Sequence, residues 1–72
     1  MKRIFTNRDY LGGGYETIDL APGGYLIWSG RDEGLEFSFP IDVEDAARIF
    51  AGAGRTFDAA KVEGLTKPHP FA

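Results

Sequence analysis

The chain contains no cysteine and only one histidine among its 72 residues. Without cysteine there is neither a disulfide framework nor a thiolate metal site. The single imidazole, His69, lies between two prolines near the end of the chain, where it is poorly placed to act as a catalytic base. The sequence therefore indicates no catalytic residue, no metal site and no cofactor.

Long apolar runs are also missing, so the sequence predicts no transmembrane helix. Lys2 and Arg3 are not followed by the apolar stretch that a signal peptide needs. The glycine run at residues 12–14 lacks the lysine and hydroxyl residue that complete a phosphate-binding loop. A soluble, cytoplasmic protein with no membrane partner is expected.

A chain of 72 residues is expected to form one small domain spanning residues 1–72. It buries only about 60% of the surface that its unfolded form exposes, which leaves little room for a deep cleft. Carboxylates on a shallow sheet surface are not buried enough to keep the proton that general acid catalysis requires. The sequence therefore predicts a protein that is not an enzyme.

The net charge of −3 conceals an uneven distribution. Residues 15–45 contain eight acidic residues and one arginine, whereas the flanking segments 1–14 and 46–72 each have a charge of +2. Binding to a phosphate backbone requires clustered lysine and arginine. The acidic centre therefore favours a protein partner with a basic surface and makes nucleic acid an unlikely ligand.

Residues 15–39 predict three strands of an antiparallel β-meander. Pro22 and Gly23 suit the two corners of a tight turn between the first two strands. That turn pairs Ile18 with Ile27, and one sheet face then carries Ile18, Leu20, Tyr25 and Ile27. A three-residue loop ending at Gly34 leads into the alternating segment 35–39, which adds Leu35, Phe37 and Phe39 to the same face, aligning Phe37 with Ile27 and Phe39 with Tyr25.

The same register places Leu26 and Trp28 on the opposite face, where two large apolar residues need cover. The chain termini are one source of cover, with Ile4, Phe5, Phe57, Val62, Leu65 and Phe71 as candidates. Alternatively, the two residues form the centre of a contact surface with an acidic rim, because tryptophan contributes strongly to protein interfaces. The partner-binding residues on this second interpretation are Trp28, Leu26, Asp19, Glu36, Thr17, Asp32 and Glu33.

A helix is predicted over residues 42–51, capped by Asp42 and stopped by Gly52 and Gly54. Its apolar stripe comprises Val43, Ala46, Ala47 and Phe50, and Glu44 is expected to pair with Arg48. Residues 1–14 are expected to contain a short strand at 2–6 and a glycine linker. In the segment 55–72, residues 56–63 suit either a short helix or a strand, and an extended tail follows.

These features predict an α+β fold, in which a three- or four-stranded antiparallel meander packs against one helix. The leading functional hypothesis is a small, acidic, non-enzymatic protein-binding module. In its most specific form the protein is an inhibitor or accessory protein that occupies a basic, nucleic-acid-binding surface of a larger complex, as phage anti-defence (anti-CRISPR-like) proteins do, an analogy of size and charge. The alternatives are a nucleic-acid-binding domain that uses its basic termini and a homodimeric structural subunit.

Overall fold

The computed structural model describes residues 1–66 and shows a four-stranded antiparallel sheet with one α-helix on one face. The strands are β1 (Lys2–Tyr10), β2 (Gly14–Leu20), β3 (Leu26–Asp32) and β4 (Leu35–Ile41), and the helix is α1 (Val43–Gly52). The strands lie in the order β1-β2-β3-β4, so the predicted meander and α+β class are confirmed. The expected C-terminal tail lies outside the described residues.

The core lies between the sheet and α1. Its buried members are Phe5, Ile18, Leu26, Ile41 and Ala46. Ala46 is the buried residue of the helix, so the sheet face that carries Ile18 and Leu26 faces α1. We call this the helix-side face, and the opposite surface of the sheet the open face.

The predicted register between β2 and β3 is wrong by one residue. Ile18 pairs with Trp28, and Leu20 pairs with Leu26 rather than with Tyr25, so five residues instead of four lie between Leu20 and its partner. Because side chains alternate along a strand, a slip of one residue exchanges the two faces of β3. Trp28 and Leu26 therefore belong to the helix-side face, and Ile27 belongs to the open face.

The longer loop results from two consecutive glycines that both adopt positive φ angles. Pro22 and Gly23 form the expected turn, with Gly23 at φ 101° and a 3.0 Å hydrogen bond from the Gly24 amide to the Ala21 carbonyl. Gly24 continues with φ 86°, and the Ala21 amide bonds the Tyr25 carbonyl at 2.8 Å. The first strand pair beyond this bond is Leu20 with Leu26.

The connection between β3 and β4 is a two-residue turn formed by Glu33 and Gly34. Their φ angles of 51° and 84° are those of a type I′ turn. Gly34 is left-handed as expected, but the loop has two residues instead of three because Asp32 pairs with Leu35. Further along the strands, Phe37 pairs with Gly30 and Phe39 with Trp28, not with Ile27 and Tyr25.

Glu33 is the one non-glycine residue in the described part of the chain with a positive φ. Replacement of Glu33 by asparagine is expected to raise the free energy of unfolding by about 1 kcal/mol, because asparagine tolerates this conformation and Asn-Gly suits a type I′ turn. Urea denaturation would measure the change. The Glu33→Ala variant is the control, and equal stability of the two variants would contradict the turn assignment.

The start of α1 agrees with the sequence expectation. Asp42 is the N-cap, and its carboxylate accepts a 2.8 Å hydrogen bond from the Asp45 amide. The apolar stripe is rotated from the predicted one: Ala47 is exposed, while Ile49 packs against the core together with Phe50. Arg48 bonds Asp45 one turn earlier, not Glu44.

The two chain ends differ from the expected elements. β1 is a nine-residue edge strand, and the glycine run supplies a 3-10 turn, Leu11–Gly13, and the first residue of β2, rather than a link. Residues 56–63 contain a single 3-10 turn, Ala59–Lys61. Beyond it, the Thr66 amide donates a 2.9 Å hydrogen bond to the Gly24 carbonyl, which holds this segment against the β2–β3 loop.

Within residues 1–66, no helix has the length and apolar character needed to cross a membrane.

Candidate functional site

The structure separates the predicted partner-binding residues instead of gathering them into one patch. Leu26 is only 1% exposed and is part of the core. Trp28 and Asp32 lie on the helix-side face, and Glu33 lies in the adjoining turn. The remaining three, Thr17, Asp19 and Glu36, lie on the open face. The one-residue difference in register accounts for this separation.

The acidic residues of the open face are paired with arginines. The Asp19 carboxylate accepts hydrogen bonds from Arg3 Nε at 2.9 Å and from Arg3 Nη2 at 3.3 Å. Glu36 accepts one from Arg31 Nη2 at 2.9 Å. These bonds raise the pKa of both guanidinium groups above the ordinary value. Asp19 and Glu36 therefore do not form the acidic rim around Trp28 that the sequence analysis expected.

Trp28 instead belongs to a cluster of aromatic residues on the helix-side face. Its ring centroid lies 4.6 Å from that of Phe37, 6.3 Å from that of Phe39 and 6.4 Å from that of Tyr10. Phe39 is 53% exposed, and Leu35, on the same face of β4, is 75% exposed. We call these five residues, Tyr10, Trp28, Leu35, Phe37 and Phe39, the aromatic surface.

The aromatic surface exists because α1 does not extend over the whole sheet. A helix of ten residues is about 15 Å long, and a seven-residue strand about 23 Å. Ala46 of α1 packs at the end of the sheet where Leu26 and Ile41 pair. The aromatic residues lie toward the other end, near the β3–β4 turn, where the helix gives less cover.

A buried carboxylate lies at the nitrogen edge of the indole ring. Glu16 is only 5% exposed, and its two carboxylate oxygens accept hydrogen bonds from Trp28 Nε1 at 3.0 Å and from Asn7 Nδ2 at 2.8 Å. Glu16 and Asn7 are cross-strand neighbours on β2 and β1. The two bonds fix the orientation of the indole and satisfy its only polar atom.

Two shallow grooves meet at Trp28. One, of about 340 Å³, is lined by Asn7, Asp9, Tyr10, Glu16, Trp28, Arg48, Ile49 and Gly52. The other, of about 400 Å³, is lined by Trp28, Phe39, Pro40, Ile41, Asp45, Arg48 and Ile49. Trp28 and two residues of α1, Arg48 and Ile49, line both grooves, so the indole lies at the centre of one concave surface between the sheet and the helix.

Near Tyr10 this surface carries negative charge. Burial raises the pKa of the Tyr10 phenol, and the negative charges of Asp32 and Glu16 raise it further. Arg48, on the helix rim, is paired with Asp45. The surface thus offers aromatic rings beside carboxylates, a combination that attracts cationic side chains.

Residues 1–66 contain no group of three or more His, Cys, Asp and Glu residues arranged to hold a metal ion. Every buried polar side-chain atom in this part of the chain has a hydrogen-bond partner. Comparisons with family models, with curated proteins and with solved structures give no match for this chain.

Among the residues of the aromatic surface, the sequence identifies Trp28 as a contact residue but not Phe37 or Phe39. The alternation of residues 35–39 assigned Phe37 and Phe39 to the core. Glu16 lies two residues before Ile18 on the same strand. That spacing is a signal that the two side chains share a face.

Proposed function

We propose that the protein is a non-enzymatic protein-binding module and that the aromatic surface is its contact surface. The observation that carries the proposal is the partly exposed aromatic cluster around Trp28, which lies beside the core rather than within it. Tryptophan and tyrosine are enriched among the residues that dominate binding energy at protein interfaces. Trp28 is already held by Glu16, so little conformational entropy is lost when a partner binds it.

The charge of the segment that contains β4 and the start of α1 favours a basic partner. Residues 32–45 contain six carboxylates and no lysine or arginine. Arg31 and Arg48, which flank and face this segment, bond Glu36 and Asp45, and the formal charge of residues 31–48 is −4. Such a charge accelerates association with a positively charged protein and opposes the approach of a phosphate backbone.

In its finer form the proposal is that the basic partner surface normally binds nucleic acid. The protein then acts as an inhibitor or accessory protein that occupies this surface, as phage anti-defence proteins do. Support for this form comes from size and charge, and from the concave aromatic surface that would anchor the contact.

The proposal predicts that Phe39→Ser weakens partner binding by about thirtyfold, the effect of losing an aromatic hot spot. The matched control is Tyr15→Ser, because Tyr15 is also an aromatic residue, is 44% exposed and lies on the open face. The immobilised wild-type chain would be incubated with an extract of the source cells, and the retained protein would then be purified for affinity measurements with both variants. Equal affinity of the Phe39 and Tyr15 variants would contradict the proposal.

The hypothesis that the protein occupies a nucleic-acid-binding surface is tested with the same captured partner. A short DNA duplex added to the complex should displace the protein, because both ligands would occupy one basic surface. A ternary complex of protein, partner and duplex would contradict the inhibitor form and leave the binding surface itself supported.

One observation bears on the alternative of nucleic-acid binding. Arg3, Arg8 and Tyr15 line a groove of about 360 Å³ on the open face. The charge of Arg3 is neutralised by Asp19, however, and Glu36 lies on the same face. The open face therefore lacks the clustered positive charge that phosphate contacts need, and the aromatic surface is the better-supported site.

A further inference from the structure

We infer that the outer edge of β4 binds an extended, basic segment of the protein partner as an additional strand. This inference rests on the proposed function and specifies how the partner is bound. β4 is the last strand in the sheet order, so within residues 1–66 its outer edge has no neighbouring strand. An unpaired edge is a template for strand addition, a common mode of peptide recognition.

The register shows which main-chain groups point outward. In a two-residue hairpin the residues that flank the turn form a hydrogen-bonded pair, and bonded and non-bonded pairs then alternate. The bonded pairs start at Asp32 and Leu35, so alternate residues of β4 direct their amides toward β3. The residues between them, Glu36, Ser38 and Pro40, direct their main-chain groups away from the sheet.

Pro40 agrees with this assignment and limits the length of the exposed edge. Proline has no amide hydrogen, so it fits an edge strand where that position faces outward. An incoming strand can accept from the amides of Glu36 and Ser38 and donate to the carbonyls of Glu36, Ser38 and Pro40. The edge therefore suits a short segment of roughly five residues.

Side chains on the two faces of β4 supply the specificity. Leu35 and Phe39 are exposed on the helix-side face, so apolar residues at alternate positions of the added strand would extend the aromatic surface. The formal charge of −4 over residues 31–48, which include β4, favours lysine or arginine at the remaining positions. It also opposes pairing with a second copy, because two identical acidic edges would be brought together.

The peptide Lys-Val-Lys-Val-Lys-Val-Lys, acetylated and amidated at its ends, is a suitable probe. We expect fluorescence anisotropy of a labelled peptide to show binding to the wild-type chain. The corresponding peptide with glutamate in place of lysine should not bind. Absence of binding by the lysine peptide, or equal binding of both peptides, would overturn the inference.

The decisive variant is Ser38→Pro, which removes one outward amide and leaves the main-chain hydrogen bonds between β3 and β4 intact. We expect it to weaken peptide binding by about tenfold. This is the effect of losing one hydrogen bond to the peptide and weakening the hydrogen bonds on either side of it. Ser38→Ala is the matched control, because both substitutions remove the Ser38 hydroxyl that contacts Ser29 at 3.0 Å. Ser38→Ala should bind as the wild type does. Circular dichroism checks that both variants are folded.

The inference and the proposed function fail in different ways. If Ser38→Pro binds the captured partner normally while Phe39→Ser does not, strand addition is wrong and the aromatic surface remains the contact site. If neither substitution changes partner binding, the proposed function is also wrong. If light scattering over a concentration series shows a dimer that Ser38→Pro dissociates, a second copy occupies the edge and the inference is overturned.

Discussion

Replacement of Leu26 by alanine is expected to lower the free energy of unfolding by about 2–5 kcal/mol, which is a large share of the stability of a small domain. Leu26 is 1% exposed and packs in the core with Phe5 and Ile18. Removing its side chain leaves a cavity at the centre of the only described core, which has few other residues to compensate. Urea denaturation followed by circular dichroism would measure the loss.

Ile27→Ala is the matched control, since the two residues are adjacent on β3 but occupy opposite faces. Ile27 lies on the open face and is partly exposed, so its truncation should cost about 1 kcal/mol or less. A larger loss for Ile27→Ala than for Leu26→Ala would contradict the register of the structure. It would instead support the pairing of Ile18 with Ile27 that the turn sequence suggested.

Gly30→Ala is the second substitution with a large expected effect. A Cβ atom at this position would lie 2.1 Å from the Tyr15 carbonyl oxygen and 2.9 Å from the Glu16 Cα atom. Both atoms belong to the backbone of the neighbouring strand, which cannot move without disturbing the sheet. We expect a loss of at least about 2 kcal/mol, measured by urea denaturation.

Gly52→Ala serves as the control for Gly30→Ala. Nothing lies within 4 Å of a Cβ atom at Gly52, which is the last residue of α1. Alanine favours a helix over glycine, so this variant should be as stable as the wild type or more stable by up to about 1 kcal/mol. Equal losses at Gly30 and Gly52 would show that β2 and β3 do not approach each other as described.

Gly30 also connects the stability of the sheet with the proposed contact surface. Phe37 pairs with Gly30, and its ring lies 3.0 Å from the position that a Cβ atom would occupy. The missing side chain lets the Phe37 ring lie across β3 and approach Trp28. Gly30→Ala should therefore disturb the aromatic surface as well as the sheet.

The sequence was sufficient to predict the elements whose signals are local. The meander, the helix, the Asp42 cap and the left-handed Gly34 all follow from residues within a few positions of one another. Loop length was harder, because Gly23 and Gly24 can each adopt a positive φ and the turn sequence does not say how many residues do so. One additional residue in that loop exchanged the faces of β3 and changed the composition of the predicted patch.

The aromatic surface depends on contacts between distant parts of the chain. Glu16 looks like an ordinary surface acid until Asn7 and Trp28 are placed on either side of it. Tyr10 reaches Trp28 only because β1 continues to its tenth residue and pairs with Gly14. Neither contact has a local sequence signal. Trp28 itself could be identified from the sequence, because it is large, apolar and the only tryptophan in the chain.

The most direct test of the account is the solvent accessibility of Trp28 when a ligand binds. Trp28 is the only tryptophan in the chain, so its fluorescence reports on the aromatic surface alone. Acrylamide quenching would be measured with and without the unlabelled lysine–valine peptide, which contains no tryptophan. We predict that saturating peptide protects Trp28 and reduces the quenching constant. Peptide binding that leaves the quenching of Trp28 unchanged would contradict the assignment of the aromatic surface as the contact site.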